Sequence, residues 1–281
     1  MTFLVSELKS KLAVLAVGLL LASCAATNDG SLDIESRDIT LNESAEPTSA
    51  AGNDELRPVI SSISPTYVGL RVIKVDSSEP NVDKARGGAI TAGSGYIVDQ
   101  SGIVMTAAHV SVEKGNDIDA RAANGRIYSG KVIAINKTND MAIIKLRGFS
   151  GKAVSPVSPG CVNKGAKVFT LGKPQAQGDL ARIGSLQDRH FGRAVRYGKF
   201  GYPDALVLHM GTQKGESGGP VFDANGKLIG MVVSTLSDAA GNSINLAHAI
   251  PSTALAQFLC SNTQCSSAWA SLATRNVDEC S

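Results

Sequence analysis

From residue 67 onward, short apolar runs alternate with polar turn residues. "YVGLRVIKV" (Tyr67 to Val75), "SGYIVD" (Ser94 to Asp99), "IVMTAA" (Ile103 to Ala108) and "KVIAI" (Lys131 to Ile135) are rich in Val and Ile. So are "MAIIKL" (Met141 to Leu146), "KVFTLG" (Lys167 to Gly172), "DALVLHM" (Asp204 to Met210) and "KLIGMVVST" (Lys227 to Thr235). Runs of this length and composition predict β-strands. Gly87-Gly88, Asn124-Gly125 and Asn225-Gly226 supply turn signals between them. A single segment reads as a helix: "TALAQFLC" follows Pro251, with Ser252 as its expected N-cap. The Pro- and Gly-bearing connector "FSGKAVSPVSPGCVN" (Phe149 to Asn163) divides the strands into two sets. The pattern therefore predicts an all-β protein of two lobes, with the cleft between them as the natural place for a site. No internal repeat is visible.

The N-terminus departs from this pattern. Lys9 and Lys11 precede "LAVLAVGLLLA" (Leu12 to Ala22), which has the length of a signal-peptide apolar region and is short for a membrane span. The run closes on Leu21-Ala22-Ser23-Cys24. This resembles the bacterial lipoprotein lipobox, which implies cleavage before Cys24 and lipid on its thiol and new amino group. Ala25 in the next position favours the outer membrane in the Gram-negative pattern. The expectation is an exported chain held to a membrane through Cys24, in the periplasm or at the cell surface.

Residues 24–55 carry eight acidic side chains against Arg37 alone, so they are expected to form an acidic, self-repelling tether. That leaves the remainder at about +8. A folded domain is expected over 56–260, and a Cys-containing tail over 261–281. Hydrophobic residues make up 43% of the 281-residue chain and charged residues 19%, enough for a real core. The formal net charge of +2 and the lack of a long basic run argue against a nucleic-acid partner. Beyond Cys24 there are four cysteines, Cys161, Cys260, Cys265 and Cys280. In an exported chain they permit two disulfides in any of three connectivities, Cys260 with Cys265 being the easiest local pair. No CxxC or Cys/His spacing points to a metal, and no cofactor is called for.

Three short blocks carry chemistry. "MTAAHV" places His109 at the end of a strand, "NDMAIIKL" places Asp140 at the start of one, and "KGESGGPVF" surrounds Ser217 with glycines. Nucleophilic acyl transfer needs these side chains: an imidazole to take the serine proton, a carboxylate to orient it, and a hydroxyl to attack. The amides of Gly215 and Ser217 are the candidate oxyanion donors, and the glycines permit a tight turn close to a substrate backbone.

In the order His, Asp, Ser these blocks resemble the trypsin/chymotrypsin-like serine proteases. "GSGYIVDQSGIVMTAAHV", "KLIGMVVST" and "AHAIPS" (Ala247 to Ser252) narrow the resemblance to the bacterial HtrA-type branch over about residues 60–260. It implies two six-stranded antiparallel β-barrels with a short C-terminal helix. It also makes His109 the general base, Asp140 its orienter, Ser217 the nucleophile and Gly215 with Ser217 the oxyanion hole. Protein or peptide substrates follow. The resemblance further implies a pocket, for the residue before the scissile bond, lined by Gly211, Thr212, Val233, Ser234, Thr235 and His248. With no Asp at its floor, small or medium apolar residues fit better than basic ones.

Departures from the family pattern are also visible. Glu216 stands where Asn or Asp commonly precedes the serine, adding a charge beside the site. No Ile-Val-Gly-Gly activation sequence occurs near the domain start, and only a short tail follows the helix, so no PDZ domain is expected. Oligomeric state stays open. The segment "DRHFGRAVRYGKFGYP" (Asp188 to Pro203) mixes Arg189, Arg193, Arg196 and Lys199 with four aromatic residues. It is read as either a contact for nucleic acid, anionic lipid or cell-wall polymer, or an ordinary solvated loop; the resemblance implies that it occupies the sensing loop that orders the active site in HtrA-type proteases. The alternative to a protease is a silent trypsin-fold module that binds peptides or envelope polymer.

Overall fold

Where β-branched residues cluster, the chain pairs into strands, and those strands close into two barrels. The computed structural model describes residues 40–43, 54–73, 89–174, 179–237 and 243–280. Strand β1 (Thr40–Glu43) comes first, then helix α1 (Arg57–Ile63). The first barrel uses β2 (Tyr67–Ile73), β3 (Ala89–Asp99), β4 (Ile103–Thr106), β5 (Asp117–Arg121), β6 (Ile127–Asn136) and β7 (Met141–Leu146). It closes in the order β2-β3-β4-β7-β6-β5, every pairing antiparallel.

The second barrel is built from β8 (Lys167–Gly172), β9 (Leu180–Asp188), β12 (Leu206–His209), β13 (Pro220–Asp223), β14 (Leu228–Ser237) and β15 (Ser243–Pro251). Its order is β9-β12-β15-β14-β13-β8, and the β8–β9 ladder closes it. Between β9 and β12 lies a separate hairpin of β10 (Val195–Tyr197) and β11 (Phe200–Tyr202). The expected all-β architecture of two six-stranded antiparallel barrels is thus what the chain adopts. β1 adds in parallel to the free edge of β9, Thr40 opposite Leu180. This strand lies inside the expected tether. The rest of 24–53, and with it the signal segment and Cys24, falls outside the described residues.

The C-terminal helix α3 (Ser252–Asn262) buries Leu255, Ala256, Phe258 and Leu259. It packs against β14 and β15 of its own barrel and against β7 of the other. Covered on its outer side as well as its inner one, β7 shows nearly continuous burial, which is why "MAIIKL" lacks strict alternation. Pro251, not Ser252, is the N-cap residue; the Ser252 hydroxyl instead donates to the Val157 carbonyl at 2.6 Å. The tail forms a further short helix, α4 (Ser267–Leu272), burying Trp269. Disulfides join Cys260 to Cys265 and Cys161 to Cys280, the second tying the tail back to the interbarrel connector.

Polar contacts also cross between the barrels. Arg121 on β5 meets both oxygens of Asp179, just before β9, at 2.7 Å. Both side chains are buried, so losing either partner would strand a charge away from water. Among the described residues no helix is long and apolar enough to cross a membrane.

Candidate active site

β4 leads directly into the helical turn α2 (Ala108–Ser111), which carries His109. Asp140 sits one residue before β7 with a positive φ of 46°. A short polar residue tolerates this left-handed conformation better than a branched one. The turn before it is organised by Asn136, whose Oδ1 accepts from the amides of Thr138 and Asn139, each at 3.1 Å. Asp140 is fully buried and grips His109 twice. Oδ1 accepts the His109 backbone N–H at 2.9 Å, and Oδ2 lies 2.8 Å from Nδ1. A proton on Nδ1 directed at the carboxylate leaves Nε2 as the acceptor.

Ser217, half-buried, lies in a turn packed against the first barrel. The Ser94 amide on β3 donates to the Ser217 carbonyl at 2.9 Å, and the Ser94 hydroxyl to the Gly215 carbonyl at 2.8 Å. Gly218, at φ 82°, approaches so closely that a Cβ there would collide with Thr106 Oγ1 and the Ser94 carbonyl. A Cβ on Gly93 would meet both Val110 Cγ1, at 2.7 Å, and the Ser217 carbonyl, at 3.2 Å, so the neighbour of His109 and the serine share one glycine surface. Among the described residues neither the Gly215 nor the Ser217 backbone N–H has an acceptor, and the Ser217 hydroxyl makes no hydrogen bond.

The charge expected beside the site is withdrawn from it. Glu216 is fully buried and paired with Arg182 of β9, whose Nε lies 2.6 and 2.8 Å from its two oxygens. The Gln213 amide also donates to this carboxylate, closing the turn on itself. Burial raises the Glu216 pKa, against the opposing pull of Arg182 and Gln213. Gly172 makes room for the pair, since a Cβ there would sit 2.8 Å from Glu216 Cγ.

The residues expected to line a specificity pocket fall on adjoining strands. Ser234 and Thr235 on β14 pair with His248 and Ala247 on β15. Thr212 Oγ1 is 2.6 Å from Thr235 Oγ1, bracing the loop that starts at half-buried Gly211. Val233 is buried. The Tyr202 hydroxyl links Ser234 Oγ to His248 Nδ1, both at 2.7 Å. His248 is packed, its ring 4.1 Å from that of Phe191, and its buried Nε2 has no partner among the described residues. Burial, helped by nearby Arg193, pushes its pKa down to about 4, so it is neutral at physiological pH. His190 lies outside this group, on the surface between Asp204 and Asp278, and His209 is half-buried on β12.

The basic and aromatic segment resolves mostly into internal contacts. Arg189 donates to the carbonyls of Pro159 and Val162, Arg193 lies over the Phe191 ring, and Lys199 pairs with Glu113. Tyr197 Oη donates to Asp140 Oδ2. Ser94, Arg182, Tyr197 and Tyr202 are the site contacts that sequence reasoning missed. Only the odd composition of 188–203 pointed toward two of them. Among the described residues no cluster of three or more His, Cys, Asp or Glu side chains could hold a metal.

Comparison with known proteins finds similarity to several proteases. The model described as "Trypsin-like peptidase domain" matches residues 93–231. A probable periplasmic serine endoprotease, DegP-like, from Brucella suis biovar 1 (strain 1330) is 31% identical over 188 residues, covering 65% of this chain. The putative serine protease HhoA from Synechocystis sp. (strain ATCC 27184 / PCC 6803 / Kazusa) is 31% identical over 157 residues, covering 53%. The chain spans only 35% and 38% of these relatives' lengths. Among solved structures, the HtrA-type protease AlgW with a tripeptide superposes with a TM-score of 0.56 at 23% identity, covering 70% of this chain and 59% of that one. The Rv3671c protease in its inactive form gives 0.59 at 20% identity, covering 80% and 99%.

Proposed function

We propose that the trypsin-like, HtrA-type serine protease domain of this chain is a catalytically competent endopeptidase using His109, Asp140 and Ser217. The observation that carries this reading is the double grip of buried Asp140 on His109, which orients the ring and stabilises its charged form. The unpaired amides of the Ser217 turn add support. His109 Nε2 takes the Ser217 proton as Oγ attacks the substrate carbonyl. The resulting oxyanion is held by the Gly215 and Ser217 N–H groups, and the proton passes from His109 to the leaving amine. Water then attacks the acyl-enzyme by the same route, releasing the acid and restoring Ser217.

Substrates are proteins or peptides. Neutral His248, the Thr212–Thr235 pair and buried Val233 favour an uncharged residue of small or medium size before the scissile bond. The DegP-like relative is named as periplasmic, and together with the N-terminal apolar run this supports an exported protein, anchored by lipid on Cys24. Loss of membrane association and of metabolic lipid labelling in Cys24→Ser would follow from that anchor.

The test is labelling of the full chain with a fluorophosphonate probe. Ser217→Ala should abolish the adduct, and His109→Ala should slow it by about a thousandfold or more. Equal labelling in all three proteins would refute the assignment. The second reading, a silent peptide-binding module, is favoured by the free Ser217 hydroxyl. It predicts no labelling with peptides present, and peptide binding that survives Ser217→Ala.

A further inference from the structure

The β10–β11 hairpin belongs to the second barrel by sequence, yet it docks on the first. The Gly201 amide donates to the Lys137 carbonyl at 3.0 Å. Lys199 and Lys137 both reach Glu113, at 2.6 and 2.7 Å. The rings of Tyr197 and Phe200 stand edge-on to His109, with centroids 5.7 and 6.3 Å away. Beside these contacts lies a half-open pocket of 330 Å³, lined by Lys137, Asn139, Lys199 and Phe200 among others. Val195, Tyr197 and buried Tyr202 of the hairpin pack against the core, and one further contact, from Tyr197, reaches the buried carboxylate.

Asp140 Oδ2 is shared. It receives His109 Nδ1 from one side and the Tyr197 hydroxyl from the other. A hydrogen bond to the charged form of a carboxylate disperses its charge and stabilises it as an anion. The anion is then a weaker partner for a developing imidazolium. Burial and the Asp140 charge hold the Tyr197 phenol well above its ordinary pKa, so it stays a donor over the working range.

We propose that Tyr197 is a positioning residue for the catalytic pair, a hydroxyl delivered from the second barrel that shares the charge of Asp140 and so sets how strongly Asp140 stabilises protonated His109. The proposal rests on the triad reading above. The other titratable groups near His109 are Glu113 beyond its own helical turn, Lys137 on the 137–139 turn, Lys199 at the hairpin tip and Tyr202 on β11. The Glu113, Lys137 and Lys199 charges are largely satisfied by one another at the surface.

The experiment compares the full chain with Tyr197→Phe, which keeps the ring and removes only the hydroxyl. With undivided charge on Oδ2, the imidazolium is favoured and persists to higher pH. The acid limb of the kcat/KM profile should therefore move upward by about one pH unit, with KM and the plateau kcat each within about threefold. The hydrogen-bonded Nδ1 proton of His109 should move downfield in the NMR spectrum. Phe200→Leu, which disturbs the same contact without touching a hydroxyl, should move neither. A Tyr197→Phe protein with an unmoved proton resonance and acid limb overturns the proposal, as does an equal displacement in Phe200→Leu. The NMR comparison needs no turnover and can be repeated in Ser217→Ala. If no chain labels with fluorophosphonate, the protease reading fails while the resonance still judges Tyr197.

Discussion

The turn that carries Ser217 and the corner that carries His109 and Asp140 are secured in different ways. Around Ser217 every anchor is buried: the Arg182–Glu216 pair from below, Ser94 from the first barrel, and Gly218 wedged where no side chain fits. Around His109 the buried carboxylate is equally firm, but its third donor, Tyr197, arrives on a separate hairpin held by buried Tyr202 and the Gly201–Lys137 hydrogen bond and, at its tip, by exposed Lys199 and Glu113. Exposed ion pairs contribute little, whereas a buried charge without its partner is severely destabilising. One half of the site is therefore secured wholly by buried anchors, and the other also takes a contact from a separate hairpin whose tip is held at the surface.

The largest expected break falls on the buried His–Asp contact. Asp140→Asn keeps the shape and removes the charge, and should lower kcat by about 10⁴-fold with little change in KM, read by peptide hydrolysis. A kcat near that of the unaltered chain would mean that Asp140 has no electrostatic role. Next comes the inner anchor of the serine turn. Arg182→Met leaves Glu216 buried and unpaired, a loss of about 3–5 kcal/mol in urea unfolding. Fluorophosphonate labelling should fall with it. If stability held while labelling fell, the pair would be an organiser of the turn rather than part of the scaffold.

The tail offers a smaller effect. Replacing Cys161 and Cys280 by Ser opens a linkage across 119 residues of sequence and should lower stability by about 2–5 kcal/mol, with labelling per folded molecule preserved. Calorimetry together with active-site titration separates the two quantities.

The smallest expected effect concerns His190. Its ring N–H groups donate to Asp204 first, then Asp278, and these hydrogen bonds raise its pKa above the ordinary 6.5. Protonated His190 thus helps hold the tail to the base of the hairpin segment. That help is complete below about pH 6.5 and fades as pH rises through the raised value. His190 is 43% exposed, so solvent screens the interaction and only a local change is expected. Amide resonances of Val277 to Glu279 should titrate in that window in the unaltered chain and stay still in His190→Gln. A titration that persisted in the variant would assign the effect elsewhere.

Sequence patterning anticipated the barrels because strand formation is mostly local. Runs such as "KVFTLG" and "MAIIKL" became β8 and β7 with the expected bounds. β5, "DIDAR", and β9, "LARIGSLQD", were not anticipated, since charged and small residues interrupt their apolar pattern. They are strands because neighbours on both edges supply the ladder, and Arg121 and Arg182 on them spend their charge on buried partners. Ser252 illustrates the same limit: its hydroxyl serves a distant carbonyl rather than its own helix.

What the sequence by itself determined was the all-β class, the division near 149–163, and the three blocks bearing His109, Asp140 and Ser217. Each depends on periodicity, turn chemistry or a residue type that acyl transfer requires. Tertiary structure alone decided that Glu216 is withdrawn into an ion pair with Arg182, 34 residues away, and that Tyr197 reaches Asp140 across 57 residues. Neither contact leaves a local trace, because an Arg or a Tyr on a short strand reads the same facing water or facing a buried carboxylate. The difference arises only when folding removes the water and makes the partner's charge the nearest thing to bind.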